Sequence, residues 1–258
     1  MIRDIYKSKQ YFDSSISKRE QLIEKNILRI EQGSVKPDRV TPVKEFRVGL
    51  YKKNMIARYS RGDATNSDKI KEDFNNAVIL SEKTWEPSKR VMKLTENKKS
   101  INLNQFSFSG YLDMIRMLSF GILINSPKNI IDKLVLQIDG DKIKDFLLEF
   151  LIRYYDTNRP LVTEESYREF FHINERFGRL KSIIKEENKT TAEQELKYFL
   201  EKEWYESFKG TPLYNQHLNP NDTYSGYWCF VAAAIVKIKG LDDSSFRTNT
   251  YYPKDILA

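Results

Sequence analysis

One stretch, Tyr224-Ser225-Gly226-Tyr227-Trp228-Cys229-Phe230-Val231-Ala232-Ala233-Ala234-Ile235-Val236-Lys237-Ile238, constrains the fold more than any other. Tyr224, Tyr227, Trp228, Val231, Ala232, Ile235 and Val236 recur at three and four residues, the spacing of one helical face. Cys229, Phe230, Ala233, Ala234 and Ile238 make the other side apolar as well. A helix without a polar face has to be buried all round, so other elements must wrap it. The spacing predicts a central helix over this stretch. A polar turn, Gly240 to Ser245, follows, and then an aromatic tail, Tyr251-Tyr252-Pro253, expected to fold back on the helix.

The 258 residues suffice for one large domain or two small ones. Glycine and proline are scarce, 10 and 8, which suits long helices and argues against a turn-rich β fold. A single cysteine excludes an internal disulfide framework, so the expected compartment is the cytoplasm. The first residues, Met1 to Lys7, have no apolar core of signal-peptide length. The longest apolar run, Met117 to Ile124, is interrupted by Ser119 and Gly121 and falls far short of the roughly 18–20 residues of a membrane span. The net charge of +7 is uneven. Residues 1–100 carry 23 Lys/Arg against 14 Asp/Glu, a balance of +9, and residues 101–258 carry 20 against 22, a balance of −2. A basic balance fits a nucleic acid, an acidic partner or an ordinary solvated surface.

Helical periodicity runs through the chain. Residues 13–31 place Ile16, Ile23, Ile27 and Ile30 on one side, with Asp13 or Ser14 as cap and capping-box spacing between Ser17 and Glu20. Pro37-Asp38 opens a second helix with Val40, Val43, Phe46, Leu50 and Ala57 inward, ending near Arg61-Gly62. A third begins at Asn66 or Ser67. Glu86 to Asn104, with Pro87 and scattered lysines, reads as an exposed loop. The apolar helix Phe106 to Asn125 carries Asp113 and Arg116 at the spacing of a local ion pair, the alternative being a site lining a cleft. Helices are expected after Pro127, over 142–156, after Thr163, and after Thr191, whose spacing to Gln194 suits a capping box. No window alternates with period two. The expected class is all-α, a compact multi-helix bundle with an N-terminal part and a C-terminal part packed together.

Chemistry is hard to find. His172 and His217 belong to no His-x-x-x-His or Glu-x-x-His pair, and Cys229 has no second cysteine, so metal-ligand spacing is absent. A thiol inside an apolar helix is ordinarily inert, which argues against Cys229 as a nucleophile beside either histidine. Asp139-Gly140-Asp141 lacks the closing glutamate of a calcium loop, because position 12 is Phe150. There is no glycine-rich phosphate loop, zinc finger or RNP motif. The residues point to no catalytic, metal or cofactor site, which favours a binding protein over an enzyme.

The C-terminal segment carries a resemblance. Tyr227-Trp228-Cys229-Phe230-x-Ala232-Ala233-Ala234, Gly240-Leu241-Asp242-Asp243-Ser244-Ser245 and Tyr251-Tyr252-Pro253-x-Asp255-Ile256 are similar to the C-terminal signature of PoNi-type immunity proteins. Tyr11-Phe12, Lys36-Pro37-Asp38-Arg39-Val40, Ala57-Arg58-Tyr59-Ser60, Tyr111-Leu112-Asp113-Met114 with Met117-Leu118-Ser119, and Leu200-x-x-x-Trp204-Tyr205 follow the same order upstream. The ordered set spans nearly the whole chain. Asp113, Tyr227, Trp228, Asp242, Asp243, Tyr252 and Pro253 are its structural signature here. The resemblance implies an N-terminal helical immunity domain over 1–125 and a C-terminal one over 126–258. It further implies a cytoplasmic antidote to PoNe-type DNA-degrading toxins, polymorphic toxins that secretion systems deliver in interbacterial competition. Such an antidote neutralises by stoichiometric occlusion and needs no cofactor, small-molecule substrate, membrane or direct nucleic-acid contact. Two departures stand out: Val231 occupies a position where the family pattern is acidic, and the ending reads Tyr252-Pro253-Lys254-Asp255-Ile256.

An inhibitor covering the basic groove of a nuclease should offer carboxylates. Glu193, Glu195, Glu201, Glu203 and Glu206, against Lys197 and Lys202, make the helix after Thr191 the expected toxin interface, the alternative being an ordinary solvated face. The basic N-terminal half is the other candidate, facing the toxin's metal-binding carboxylates. Two other classes stay open: a helical nucleic-acid-binding regulator, and an enzyme with a carboxylate site hidden in the helices.

Overall fold

A computed structural model describes residues 1–86, 90–96, 99–160, 162 and 172–257. The fold is mostly helical, as the periodicity predicts. In chain order the elements are α1 (Lys9–Glu31), α2 (Pro37–Arg61), α3 (Asp68–Thr84), β1 (Val91–Glu96), β2 (Lys99–Phe106), α4 (Phe108–Leu123), α5 (Lys128–Gly140), α6 (Phe146–Arg153), α7 (His172–Lys185), α8 (Lys189–Tyr198) and α9 (Phe230–Lys239). The helix expected after Thr163, with Tyr167, Phe170 and Phe171, lies outside the described residues.

These elements form two units: residues 1–85 with 210–227, and residues 86–209 with 228–258. In the first, α2 packs against α1 and α3. Helix α1 starts earlier than its apolar pattern suggests, because Ser8 caps it by accepting the Tyr11 N–H at 3.2 Å. Ser17 and Glu20 are therefore mid-helix residues and form no capping box. Phe12, Ile16, Tyr59, Ile70, Phe74 and Val78 make the core, each with at most 2% of its surface exposed. Arg58 ties the three helices together, donating to Asp73 at 2.7 Å and Glu20 at 2.6 Å. Burial opposes its charge, but these two carboxylates outweigh it and hold the guanidinium above its ordinary pKa. Helix α2 ends at Gly62, whose φ of 102° is left-handed. A Cβ there would lie 2.0 Å from the Met1 carbonyl oxygen.

Residues 210–227 complete this unit. Tyr224 donates to Asp4 at 2.6 Å, while the Tyr224 and Ser225 carbonyls accept from Tyr11 (3.0 Å) and Ser60 (2.6 Å). These bonds explain why Tyr224 to Cys229 is not helical, contrary to the expectation from its spacing. Two carbonyls are taken by side chains, and Gly226 sits at φ 137°, outside any helix. The helix proper is α9, and Phe230 through Val236 are all buried.

In the second unit α4 packs against α9 and α6. Phe120 and Phe230 meet edge to face at 4.9 Å. Asp145 caps α6, accepting from the Leu148 N–H at 2.9 Å and the Tyr111 hydroxyl at 3.0 Å, and Lys181 of α7 lies 2.8 Å from its second oxygen. This buried ion pair joins α4, α6 and α7. The segment expected to be a loop, Glu86 to Asn104, instead contains an antiparallel hairpin. Val91 pairs with Phe106, and a bulge precedes the Lys93–Asn102 pair. Val91 and Phe106 are buried at its foot, but the residues between are largely polar, so no alternation shows in the sequence.

Candidate partner-binding site

The five glutamates expected at the interface do not share one free face. Asn188, not Thr191, caps α8, accepting the Thr191 N–H at 3.0 Å. After Tyr198 the helix widens into a π-turn, Phe199–Glu203, closed by a bond from the Trp204 N–H to the Phe199 carbonyl at 2.8 Å. The wider turn shifts the later residues off the 3.6-residue register. Four of the carboxylates are engaged within the molecule. Glu193 accepts the Asp242 N–H at 2.8 Å. Glu195 and Glu203 converge on Arg179 of α7, the latter at 2.8 Å. Glu206 pairs with Lys209. Glu201 is exposed and makes no such bond among the described residues.

The signature residues brace α9. Asp242 closes a turn by accepting from the Ser244 N–H (3.0 Å) and hydroxyl (2.7 Å). Asp243 accepts from Arg247 at 2.6 Å and from the Tyr252 hydroxyl at 3.0 Å. The Tyr251 carbonyl accepts the Cys229 N–H at 2.8 Å, and the Tyr251 ring stacks on Tyr205. The tail thus folds back on the start of α9, Pro253 opening its last turn, Lys254–Ile256. Trp228 is buried at the end of the lead-in. Tyr227, in the first unit, accepts the His217 N–H at 3.1 Å and faces its Nδ1 at 3.0 Å. Asp113 is half-buried, faces Arg90 at 3.5 Å and favours the Arg116 charge electrostatically. Arg116 lies over the Phe208 ring at 5.7 Å, and burial holds its guanidinium below the ordinary value. Val231 is 2% exposed. A carboxylate there would need a buried partner, whereas valine simply fills the space.

Cys229 is fully buried, and burial pushes its thiol well above the ordinary value. Such a thiol is a packing group. Among the described residues no three His, Cys, Asp or Glu side chains gather as metal ligands, and no helix is long and apolar enough to cross a membrane.

One open depression in the first unit was not legible in the sequence. It is a groove of about 340 Å³ between α1 and α2, lined by Leu22, Lys25, Arg29, Arg39, Val43 and Phe46, with Asn26 and Pro42 at its base. Phe46, expected inward, is 53% exposed, and Leu22 is 41% exposed. A second depression continues along α1 past Leu28, itself 46% exposed.

Two family models cover nearly the whole chain. One, described as "PoNe immunity protein (PoNi), N-terminal", matches residues 3–136; the other, "PoNe immunity proteins (PoNi), C-terminal", matches residues 143–256. No curated protein matches the sequence. Among solved structures, Protein PA2201 from Pseudomonas aeruginosa shares the fold with a TM-score of 0.61. It is 16% identical, with 93% of this chain and 87% of that one covered. With both segments matched in order, the chain belongs to the PoNe immunity protein (PoNi) family.

Proposed function

We propose that this protein protects its producer from a cognate PoNe-type DNase, binding the toxin in the cytoplasm and occluding it one to one. The observation that carries this reading is the pair of family matches in order along the chain. The residues support binding rather than turnover. The carboxylates of α8 and the π-turn mostly brace α7 and the Asp242 turn, and the one thiol is buried and inert. On the acidic face, the group available to a basic DNA groove is Glu201, so the contact that this face offers centres there.

The test is a titration of DNA cleavage by a PoNe-type nuclease domain, taken from the gene beside this one if that gene encodes such a domain. Suppression should be complete near one equivalent and proportional below it. Continued cleavage at several equivalents removes the reading, and suppression by a small fraction of an equivalent points to turnover instead. Glu201→Lys should weaken the complex if the acidic face takes part, and unchanged affinity removes that face. The alternative of a nucleic-acid-binding regulator is favoured by the basic balance of α2, where Arg39 to Arg61 holds seven basic residues against one acidic. It predicts tight, salt-dependent binding to duplex DNA without the toxin.

A further inference from the structure

We infer that the groove between α1 and α2 is a docking surface for an acidic segment of the toxin that inserts an apolar side chain between Leu22 and Phe46. The inference rests on the neutralisation reading and names the surface that performs it. Leu22, Leu28 and Phe46 are 41%, 46% and 53% exposed on two helices whose other large apolar side chains are buried or half-buried. They line adjoining depressions that share Lys25 and Arg29. An exposed aromatic beside exposed leucines, rimmed by polar groups, is the pattern of an interaction site.

The rim fixes the partner's charge. Lys25, Arg29 and Arg39 make no ion pair among the described residues, whereas other basic side chains of α1 and α2, such as Arg58 and Arg61, are paired. Arg47 follows Val43 by one turn on the same face of α2, and its Nε is buried without an acceptor. Four cations therefore stand along one face with no ion pair among the described residues, and Glu24 is the one carboxylate lining either depression. A second copy of the chain would bring these like-charged rows together, which costs energy. A DNA backbone would satisfy the cations but gain nothing from Leu22 and Leu28, since phosphate contacts are polar. An acidic protein segment with an apolar anchor satisfies both features.

The probe is that same PoNe-type nuclease domain, made catalytically inactive, with binding to the full chain read by calorimetry. Arg29→Glu with Arg39→Glu should weaken the complex about 100-fold or more, and Phe46→Ala about 30-fold. Arg29→Lys with Arg39→Lys should retain most of the affinity. Unchanged thermal unfolding establishes that each variant is folded, and all three positions are exposed enough for that to hold. A wild-type complex that survives both the charge reversal and Phe46→Ala overturns the groove and leaves the neutralisation reading standing. Absence of any wild-type complex overturns that reading, and the groove with it. A duplex oligonucleotide that binds wild type but not the reversed variant, while the toxin complex persists, assigns the face to nucleic acid and also overturns the inference.

Discussion

Asp145 shows what one buried charge does in this fold. Its carboxylate is almost inaccessible, and it serves the Tyr111 hydroxyl, the Leu148 N–H and Lys181 at once. Removing one partner of a buried pair leaves the other charge without compensation. Asp145→Ala is expected to cost about 3–5 kcal/mol in chemical denaturation. Adding Lys181→Met should return a substantial part of that, because it deletes the orphaned charge; additive losses would show that the pair is not coupled. Neither role was legible in sequence, where Asp145 is one acid among many and Lys181 reads as surface. Cys229 was legible, since a lone thiol amid Phe230 and three alanines can only be core. With its thiol buried and pushed above the ordinary range, it should resist a thiol reagent in the native state and react at once on unfolding. Fast native labelling would mean that the N-terminus of α9 opens.

At the level of elements, apolar spacing identified helices wherever the helix buries its own stripe, as α3 and α4 do. It failed where something outside the repeat decides the backbone. Tyr224 to Cys229 has the spacing of a helix, but Gly226 and the Tyr11 and Ser60 hydroxyls, which donate to the Tyr224 and Ser225 carbonyls, keep it out of helix. The π-turn at Phe199 is equally invisible, because its cause is packing of Phe199, Leu200 and Trp204, all fully buried. The loop before α9 also carries a pH response. The His217 ring packs tilted against Tyr6 at 4.4 Å, and its Nδ1 is placed to accept the Tyr227 hydroxyl. Burial first, and Lys7 second, hold the imidazole below its ordinary value of 6.5, with Asp4 opposing. The folded state therefore binds this proton less well than the unfolded chain. Its stabilising contribution is complete above about pH 6.5 and is lost as pH falls below that value. Wild type should lose thermal stability relative to His217→Phe, which keeps the ring but not the titration, as pH drops from about 7.5 to about 5.5. Parallel pH profiles would exclude His217 as the cause.

For the whole molecule, the ordered motifs carried the family, while the surface that acts on a partner stayed hidden. Family motifs report the braces around α9, exposed Asp242, half-buried Asp243 and buried Tyr252 among them. The exposed Leu22 and Phe46 sit at helical spacings that a core residue would share. The division into units has a further consequence for cutting the chain. The N-terminal family match stops at residue 136, yet the unit built on α1, α2 and α3 takes residues 210–227 from far along the chain. That late segment supplies Tyr224 to Asp4, two carbonyl acceptors to Tyr11 and Ser60, and Asp222 to Lys18. A fragment ending at residue 136 leaves the Asp4 carboxylate and the Ser60 hydroxyl without these partners and bares the faces of Phe12 and Tyr6 that meet Tyr224. Residues 1–136 alone should therefore show a broad, weakly cooperative thermal transition. Residues 1–85 joined by a flexible glycine-serine linker to 210–227 should unfold sharply and at higher temperature, although that chain is shorter. If the longer fragment melts as cooperatively as the joined one, the late segment is not needed to complete the unit.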